Sequence, residues 1–248
     1  LSPAVSLSWR PFSESTLRIR ASYKDIFRVP TFTDLYYLRM GNTNLKPEET
    51  SQYNVGVTWS SSCGDWLRHF SISADGYYNT VKDKIVALPT MYVWKMMNMG
   101  EVDIKGVDVN LSTQFRLPLR MSLLLASTYS FQYAVDVTDP EAKNYKDQIP
   151  YTPRHSGTVS VTLENPWVNV SYILTAVGDR YALPQNIDRN RIDSYIEQSI
   201  SINRDFRFRY FGLRLQGELL NLANVNYDVI QYYPMPGRSW RLSICLSY

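Results

Sequence analysis

Long runs in which apolar and polar residues alternate one by one are the feature that most constrains this chain. Successive side chains of a β-strand point to opposite faces, so such a run predicts a strand with one apolar and one polar face. The alternation recurs at residues 17–24, 53–59 and 107–112. It is strictest in the last eleven residues, RSWRLSICLSY, where polar residues and Cys245 separate five apolar or aromatic side chains: Trp240, Leu242, Ile244, Leu246 and Tyr248.

The length of the predicted strands favours a membrane barrel over a soluble sandwich, which also alternates. Soluble strands usually have about five or six residues, whereas a tilted membrane strand needs about 9–11. Several of the strands predicted here reach or exceed ten residues. They are about Pro3–Arg10, Ser15–Phe27, Glu49–Trp59, Trp66–Thr80, Asp103–Phe115, Arg120–Tyr133, Arg154–Leu163, Trp167–Ala176, Ser194–Asn203, Phe208–Leu220 and Arg238–Tyr248.

The connections between these strands alternate between short and long, which is the layout of an outer-membrane barrel. Five short turns are predicted at Pro11–Glu14, Ser60–Asp65, Arg116–Pro118, Glu164–Pro166 and Asn203–Arg207. Five long loops are predicted at Arg28–Glu48, Val81–Val102, Ala134–Pro153, Val177–Asp193 and Asn221–Gly237. With the C-terminus on the periplasmic side, the short turns face the periplasm and the long loops face the outside.

Other features exclude several classes of protein. The chain lacks the roughly 18 uncharged apolar residues of a spanning helix, which excludes a helical membrane protein. The net charge is +3 without a Lys/Arg run, so a nucleic-acid partner is not expected. No GxSxG, HExxH, P-loop or metal-ligand motif occurs in the sequence, which predicts neither an enzyme nor a metal or cofactor site.

Eleven strands do not make a complete barrel. Bacterial single-chain barrels have an even number of strands, and an open sheet leaves two edges that hydrocarbon does not tolerate. We therefore expect residues 1–248 to be a portion of a larger barrel that is incomplete on its own.

Ordered segments of the chain resemble TonB-dependent outer-membrane receptors, most closely the vitamin B12 receptor-like group of Bacteroidetes. FRVPTFTDLYY (Phe27–Tyr37) and GNTNLKPE (Gly41–Glu48) resemble two boxes of that family. YYNTVKDKI (Tyr77–Ile85) and GEVDIKGVDVNL (Gly100–Leu111) resemble its barrel strands. The segment Gly217–Tyr248 resembles its C-terminal region, with an NLANVNY loop, a PGR turn and a terminal aromatic residue.

The resemblance implies an all-β, antiparallel transmembrane barrel of about 22 strands, of which this chain would supply the C-terminal eleven. It implies a multi-pass protein of the Gram-negative outer membrane that imports a scarce, large nutrient, with cobalamin as the first candidate. The implied partners are an N-terminal plug and barrel half of the same receptor, the TonB complex, outer-membrane lipids and a surface lipoprotein lid. Residues 240–248 resemble the signal read by the barrel-assembly machinery.

Other substrates and classes remain open at this point. A ferric siderophore receptor shares most of these boxes. A heme receptor is disfavoured because no His lies between Phe27 and Glu48, and the two His of the chain are His69 and His155. A porin and a soluble all-β binding or adhesion module are the remaining alternatives.

Substrate contact is predicted for outer-loop residues. Met and aromatic side chains adapt to large irregular ligands, and Arg pairs with phosphate or carboxylate groups. Packing of loop against loop, or a solvated charged loop, would explain the same composition. The candidates are Tyr36, Tyr37, Met40, Met91, Tyr92, Trp94, Met96, Met97, Arg180, Tyr181, Tyr232 and Tyr233.

Overall fold

A computed structural model describes residues 2–12 and 16–247 of the chain. Ser15, where the second strand is predicted to begin, lies outside the described residues, as do Tyr248 and part of the predicted turn Pro11–Glu14. Within the described residues, no helix has the length and apolar character needed to cross a membrane.

Among the described residues, eleven antiparallel strands form one sheet, in agreement with the predicted number and fold class. The strands are β1 (Ala4–Trp9), β2 (Arg18–Arg28), β3 (Glu48–Cys63), β4 (Leu67–Pro89), β5 (Trp94–Leu117), β6 (Met121–Asp136), β7 (His155–Glu164), β8 (Asn169–Val177), β9 (Arg180–Tyr181), β10 (Arg191–Ile192), β11 (Tyr195–Arg207), β12 (Gly212–Leu220), β13 (Asp228–Ile230), β14 (Tyr233–Pro234) and β15 (Ser239–Ser247). The spatial order of the sheet is β1-β2-β3-β4-β5-β6-β7-β8-β11-β12-β15, and β9–β10 and β13–β14 form two small ribbons. A helix, α1 (Phe32–Tyr36), and a 3₁₀ turn, Asp188–Asn190, lie in the connections.

The register of the sheet separates an apolar outward face from a polar lumenal face. On the outward face Ile244 lies opposite Leu215. On the lumenal face Arg241 lies opposite Glu218, and the two side chains form an ion pair. The Nη2 atom of Arg20 lies 2.9 Å from Oδ1 of Asp75, so this pair also faces the lumen. The predicted division into lipid-facing and lumen-facing residues is therefore present along the sheet.

A belt of aromatic side chains crosses the outward face near its outer edge. Tyr23, Tyr53, Tyr78, Lys105 and Tyr133 lie opposite one another on five consecutive strands, β2 to β6. The ring centroids of Tyr23 and Tyr53 are 4.9 Å apart. Tyrosine suits the membrane–water interface because its ring is apolar and its hydroxyl is polar.

The predicted long loop Val81–Val102 is wrong, because β4 and β5 continue beyond the sheet as a hairpin. Pairing keeps the same register to Pro89 opposite Trp94, apart from a gap at Asp83, whose φ is 50°, and residues 90–93 form the turn. The segment Lys82–Lys84 is charged, which is unusual for a strand inside the membrane. Above the membrane a strand lies in water, where charged side chains are compatible with strand structure, so charge no longer marks the end of a strand.

The predicted turn Asn203–Arg207 is also wrong, because these residues belong to β11 and the turn lies at residues 208–211. Three of these residues, Arg204, Asp205 and Arg207, are charged. Asp205 accepts two hydrogen bonds from Arg214 on the neighbouring strand, at 2.6 and 3.0 Å. The turn is closed by the N–H of Phe208 donating to the carbonyl of Phe211.

Buried hydrophobic packing is concentrated at the outer end of the sheet. Val81, Met99, Val102, Ile104 and Ala134 are buried there. Ile149 covers this cluster because the chain after β6 folds back, and its N–H donates to the carbonyl of Ala134. This core supports the outer loops.

Candidate functional site

Five segments at the outer edge of the sheet form what we call the outer loop layer. They are residues 29–47, the hairpin 81–102, and residues 137–154, 178–194 and 221–238. The predicted substrate-contact residues all lie in this layer, and the contacts between its segments decide which of them meet.

The first segment begins with a capped helix. The side chain of Thr31 accepts from the N–H of Asp34, and the Asp34 carboxylate accepts from the N–H of Thr31, which together form a capping box at α1. Arg28 lies 2.9 Å from the Asp34 carboxylate. Burial acts to raise the pKa of Asp34, but the hydrogen bonds from Thr31 and the charge of Arg28 outweigh it, so the pKa is lowered.

The end of this segment joins the hairpin. The N–H of Met96 donates to the carbonyl of Met40 at 2.9 Å, and the side-chain amide of Asn42 donates to the carbonyl of Met96. Gly41 allows the tight reversal before this junction, since a Cβ there would lie 2.6 Å from the carbonyl oxygen of Leu35. The structure therefore brings together two groups of predicted residues, one around Met40 and the other on the hairpin.

A largely apolar cavity of ≈ 550 Å³ opens between the hairpin and the other loops. Trp94 lines it from the hairpin, and its ring centroid lies 5.6 Å from that of Tyr151. Arg180 and Tyr195 line the opposite side, with the guanidinium 5.6 Å from the ring centroid. Val229 and other aliphatic residues complete the wall.

Arg180 holds two loops together from the wall of this cavity. The residue is 3% exposed. Its guanidinium donates to the backbone carbonyls of Asp228 and Val229, and the ring of Tyr195 lies beside it. A buried cation requires such acceptors, so Arg180 fixes the position of β13 relative to β9.

Tyr151 and Tyr195 are cavity residues that sequence reasoning missed. Burial raises the pKa of Tyr151, against the opposing effects of a backbone hydrogen bond at Gln231 and the charge of Arg180. Tyr195 also stacks on Tyr227 with centroids 4.1 Å apart. The only local signal was that each aromatic residue lies next to a predicted outer strand end.

The remaining predicted residues lie away from the cavity. Met91 and Tyr92 form the tip of the hairpin and are 86% and 89% exposed. Tyr232 and Tyr233 are exposed at the ribbon β13–β14. Tyr36 and Tyr37 are exposed beside the first segment, Met97 lies on the hairpin, and Tyr181 pairs with Arg191.

The chemistry of this arrangement is that of a binding surface. In the parts of the chain that the structure describes, no three His, Cys, Asp or Glu residues are grouped so as to hold a metal ion. Stacked rings and aliphatic walls bind large planar or apolar surfaces. Exposed aromatic side chains elsewhere in the outer loop layer, such as Tyr92 and Tyr232, add further area for contact.

An antiparallel sheet with one lipid-compatible face, short inner turns and a folded outer loop layer defines the class of outer-membrane β-barrels. The chain belongs to the TonB-dependent receptor-like β-barrel family, whose sequence model matches residues 1–222. This membership confirms the resemblance to TonB-dependent receptors and the location in the outer membrane of Gram-negative bacteria, whereas the resemblance to a group of Bacteroidetes stays a prediction. It decides against a soluble binding or adhesion module.

Similar proteins include vitamin B12 transporters. The chain is 27% identical to the vitamin B12 transporter BtuB of Photobacterium profundum over 91% of its length, and 24% identical to that of Vibrio vulnificus over 86%. It spans about a third of these relatives, 34% and 32% of their lengths. Among solved structures, 99% of the chain matches the copper transporter OprC, with a TM-score of 0.74, 16% identity and 38% of that chain covered. The unliganded ferric citrate transporter FecA matches equally widely, with a TM-score of 0.73, 12% identity and 38% of that chain covered.

Proposed function

We propose that this chain is the C-terminal barrel portion of a TonB-dependent transporter that captures a large, scarce nutrient at its outer loops and delivers it to the periplasm. The proposed substrate is cobalamin or a related corrinoid. The observation that carries the proposal is the aromatic and aliphatic cavity between Trp94, Tyr151 and Tyr195, in a chain whose relatives include vitamin B12 transporters. No catalytic step belongs to this function.

Cobalamin suits this surface because a corrin ring is large and nearly planar and carries methyl groups, beside its amide side chains, that an apolar wall can contact. The cavity supplies rings and aliphatic side chains, while its cation, Arg180, is already bonded to backbone carbonyls. We infer that the apolar wall contacts the ligand and that Arg180 positions this wall. The exposed residues Met91, Tyr92, Tyr232 and Tyr233 would contact the ligand from above, or contact a surface lipoprotein that closes over it.

A ferric siderophore is the second candidate substrate. It is favoured by the solved structures that share the fold, which include the ferric preacinetobactin receptor BauA of Acinetobacter baumannii with a TM-score of 0.71 and 13% identity. Heme has less support from the described residues. His155 is bonded to Tyr129 on the outward face, and His69 lies at the inner end of β4.

The two edges of the sheet and its polar face support the proposed partners within the same receptor. The first and last strands, β1 and β15, each pair on one side with β2 and β12 respectively. We propose that the other strands of the same receptor complete the barrel at these edges and that a plug fills the polar lumen. The TonB complex would act through that plug.

Calorimetric titration of the full-length receptor in detergent tests this function. Cyanocobalamin is the ligand, with heme and a ferric siderophore as comparisons. Saturable binding of cyanocobalamin alone supports the proposal. Binding of a comparison ligand alone would contradict cobalamin as the substrate but would still support a receptor function. Failure to bind any of the three contradicts direct capture by these loops.

Matched variants locate the site. Trp94→Ala and Tyr151→Ala each remove one of two neighbouring rings of the cavity, and Met91→Ala removes an exposed side chain at the tip of the same hairpin, outside the cavity wall. We expect the cavity variants to weaken binding about tenfold or more, since burying an aromatic side chain contributes roughly 1.5–3 kcal/mol. Met91→Ala should change binding less. Equal effects at all three positions would place the site outside the cavity.

A further inference from the structure

Two cations share one aromatic ring at the outer edge of the lipid-facing surface. Lys105 lies opposite Tyr133 in the tyrosine belt, and its Nζ is 5.1 Å from the centre of that ring. The guanidinium of Arg154 is 5.0 Å from the same centre, and its Nε donates to Oε1 of Gln148 at 3.0 Å. Both cations are exposed. Among the described residues, neither forms a salt bridge.

The acidic group nearest along this face is Asp103, two residues before Lys105 on β5. Its carboxylate accepts a hydrogen bond from Oγ1 of Thr80 at 3.3 Å. The two cations therefore remain available to an anion that approaches from the membrane side.

An apolar groove begins beside these cations. His155 follows Arg154 in the chain, and its Nδ1 is 2.8 Å from the hydroxyl of Tyr129. Below this pair, small residues on β7 and β8 leave a depression of ≈ 700 Å³ between larger outward neighbours. Its outward lining includes Tyr129, His155, Gly157, Val159, Leu174 and Ala176.

We propose that this surface binds a phosphorylated glycolipid of the outer leaflet, with its phosphate between Lys105 and Arg154 and an acyl chain in the groove below. The arrangement matches an amphiphile because cations at the interface attract an anionic head group, and a groove in the lipid-facing band accepts hydrocarbon. The ring of Tyr133, which both cations approach, keeps them at the level of the head groups. The outward side chains of this groove distinguish it from the cavity at Trp94, although Val177 and Tyr195 border both.

Native mass spectrometry of the full-length receptor, released from dodecyl maltoside micelles, measures the binding. The probes are diphosphoryl lipid A, phosphatidylglycerol and inorganic phosphate. The test variant is the double replacement Lys105→Gln/Arg154→Gln. Its matched control is Arg204→Gln/Arg209→Gln, which removes two cations that lie over Phe206 and Tyr210 at the inner edge.

We expect the test variant to bind lipid A about tenfold or more weakly, because each basic residue near a charged membrane surface contributes roughly 1 kcal/mol. The control should bind lipid A as the unmodified receptor does. Filling the groove with Ala176→Leu should also weaken lipid A binding, although both cations remain.

Four outcomes would overturn the proposal. They are unchanged lipid A binding in the test variant, an equal loss in the control variant, phosphatidylglycerol binding as tightly as lipid A with the same dependence on Lys105 and Arg154, and binding of inorganic phosphate alone. A stronger preference for lipid A that is lost in both the cation variant and the groove variant supports it.

Discussion

The membrane-spanning sheet and the outer loop layer are stabilised in different ways. In the sheet, backbone ladders run in continuous register, while side chains such as Leu242 and Ile244 stay 64% and 63% exposed on the outward face. In the loop layer, individual polar side chains are buried and hydrogen-bonded to backbone groups, as Asp34 is to Thr31 within its own segment and Arg180 is to Asp228 in another. The stability of the sheet therefore depends on the lipid around its outward face, whereas the stability of the loop layer depends on contacts between its own residues.

The distribution of buried hydrophobic side chains makes the same distinction. Within the described residues, eleven hydrophobic side chains are buried, and all lie in the outer loops or at the outer ends of strands. A sheet that faces lipid needs no protein partner on that side, because hydrocarbon takes the place of a core. The loops stand in water and must make a core of their own. Substitutions should therefore have face-dependent effects in the sheet and contact-dependent effects in the loops.

The largest expected effect is on the lipid-facing side of the sheet. Ile244→Arg places a charge in the apolar band and should lower the free energy of unfolding by about 2–4 kcal/mol near the bilayer midplane. Ser243→Arg, one residue earlier and on the lumenal face, should lower it much less. Urea unfolding of the full-length receptor in lipid vesicles measures both. Equal losses would show that the two faces are not separated as the register indicates.

A contact in the loop layer should produce the next largest effect. Arg180→Met removes the guanidinium that donates to the carbonyls of Asp228 and Val229. Hydrogen bonds that involve a charged group contribute about 1.5–3 kcal/mol, so the loop 221–238 should open more often. Hydrogen exchange followed by mass spectrometry should show faster exchange there and unchanged exchange in β12. Arg189→Met, in the same loop as Arg180, is the control. Faster exchange spread through the sheet would contradict the separation of the two regions.

Much of the sheet could be predicted because its determinants are local. Alternation in one strand, such as Trp240 to Leu246, reports which face meets lipid without reference to any other strand. The hairpin beyond Thr80 was missed for the same reason. Its charged residues, Lys82–Lys84, resemble a loop when judged by a rule that holds inside the membrane. Above the membrane, pairing continues because Val81 and Val102 are buried by the returning segment at Ile149.

The site was only partly predictable because its determinants are distant in the chain. Trp94 and Arg180 were among the predicted residues, on the grounds of composition. Tyr151 and Tyr195 were not, since they reach the cavity through the fold of residues 137–154 and the order of the strands. Sequence composition therefore identified the segments of the site, and only the pairing of loops identified which side chains meet.

Adding one methyl group to a glycine should affect stability differently in the loop layer and in the sheet, with a smaller effect than the substitutions above. A Cβ at Gly41 would lie 2.6–2.7 Å from backbone atoms of Leu35 and Tyr37, whereas a Cβ at Gly217 in β12 would meet nothing within 4 Å. Gly41→Ala should therefore destabilise the first loop segment by about 1–3 kcal/mol, as overpacking does, and Gly217→Ala should be nearly neutral. Proteolysis rates at residues 29–47 measure the difference. Similar rates for the two variants would mean that the reversal at Gly41 is not tightly packed.

The smallest expected effect is a pH dependence confined to the first loop segment. The pKa of Asp34 is lowered in the folded loop, so its carboxylate contributes stability that is present above its unfolded pKa of about 4 and is lost as the pH falls through the lower, folded value. Hydrogen exchange at residues 31–37 should accelerate in that acidic range, while exchange in β12 does not follow the same curve. Asp34→Asn should remove the acid-induced step, because the amide cannot titrate. If the variant keeps the step, the carboxylate of Asp34 is not the group that titrates, and the prediction is wrong.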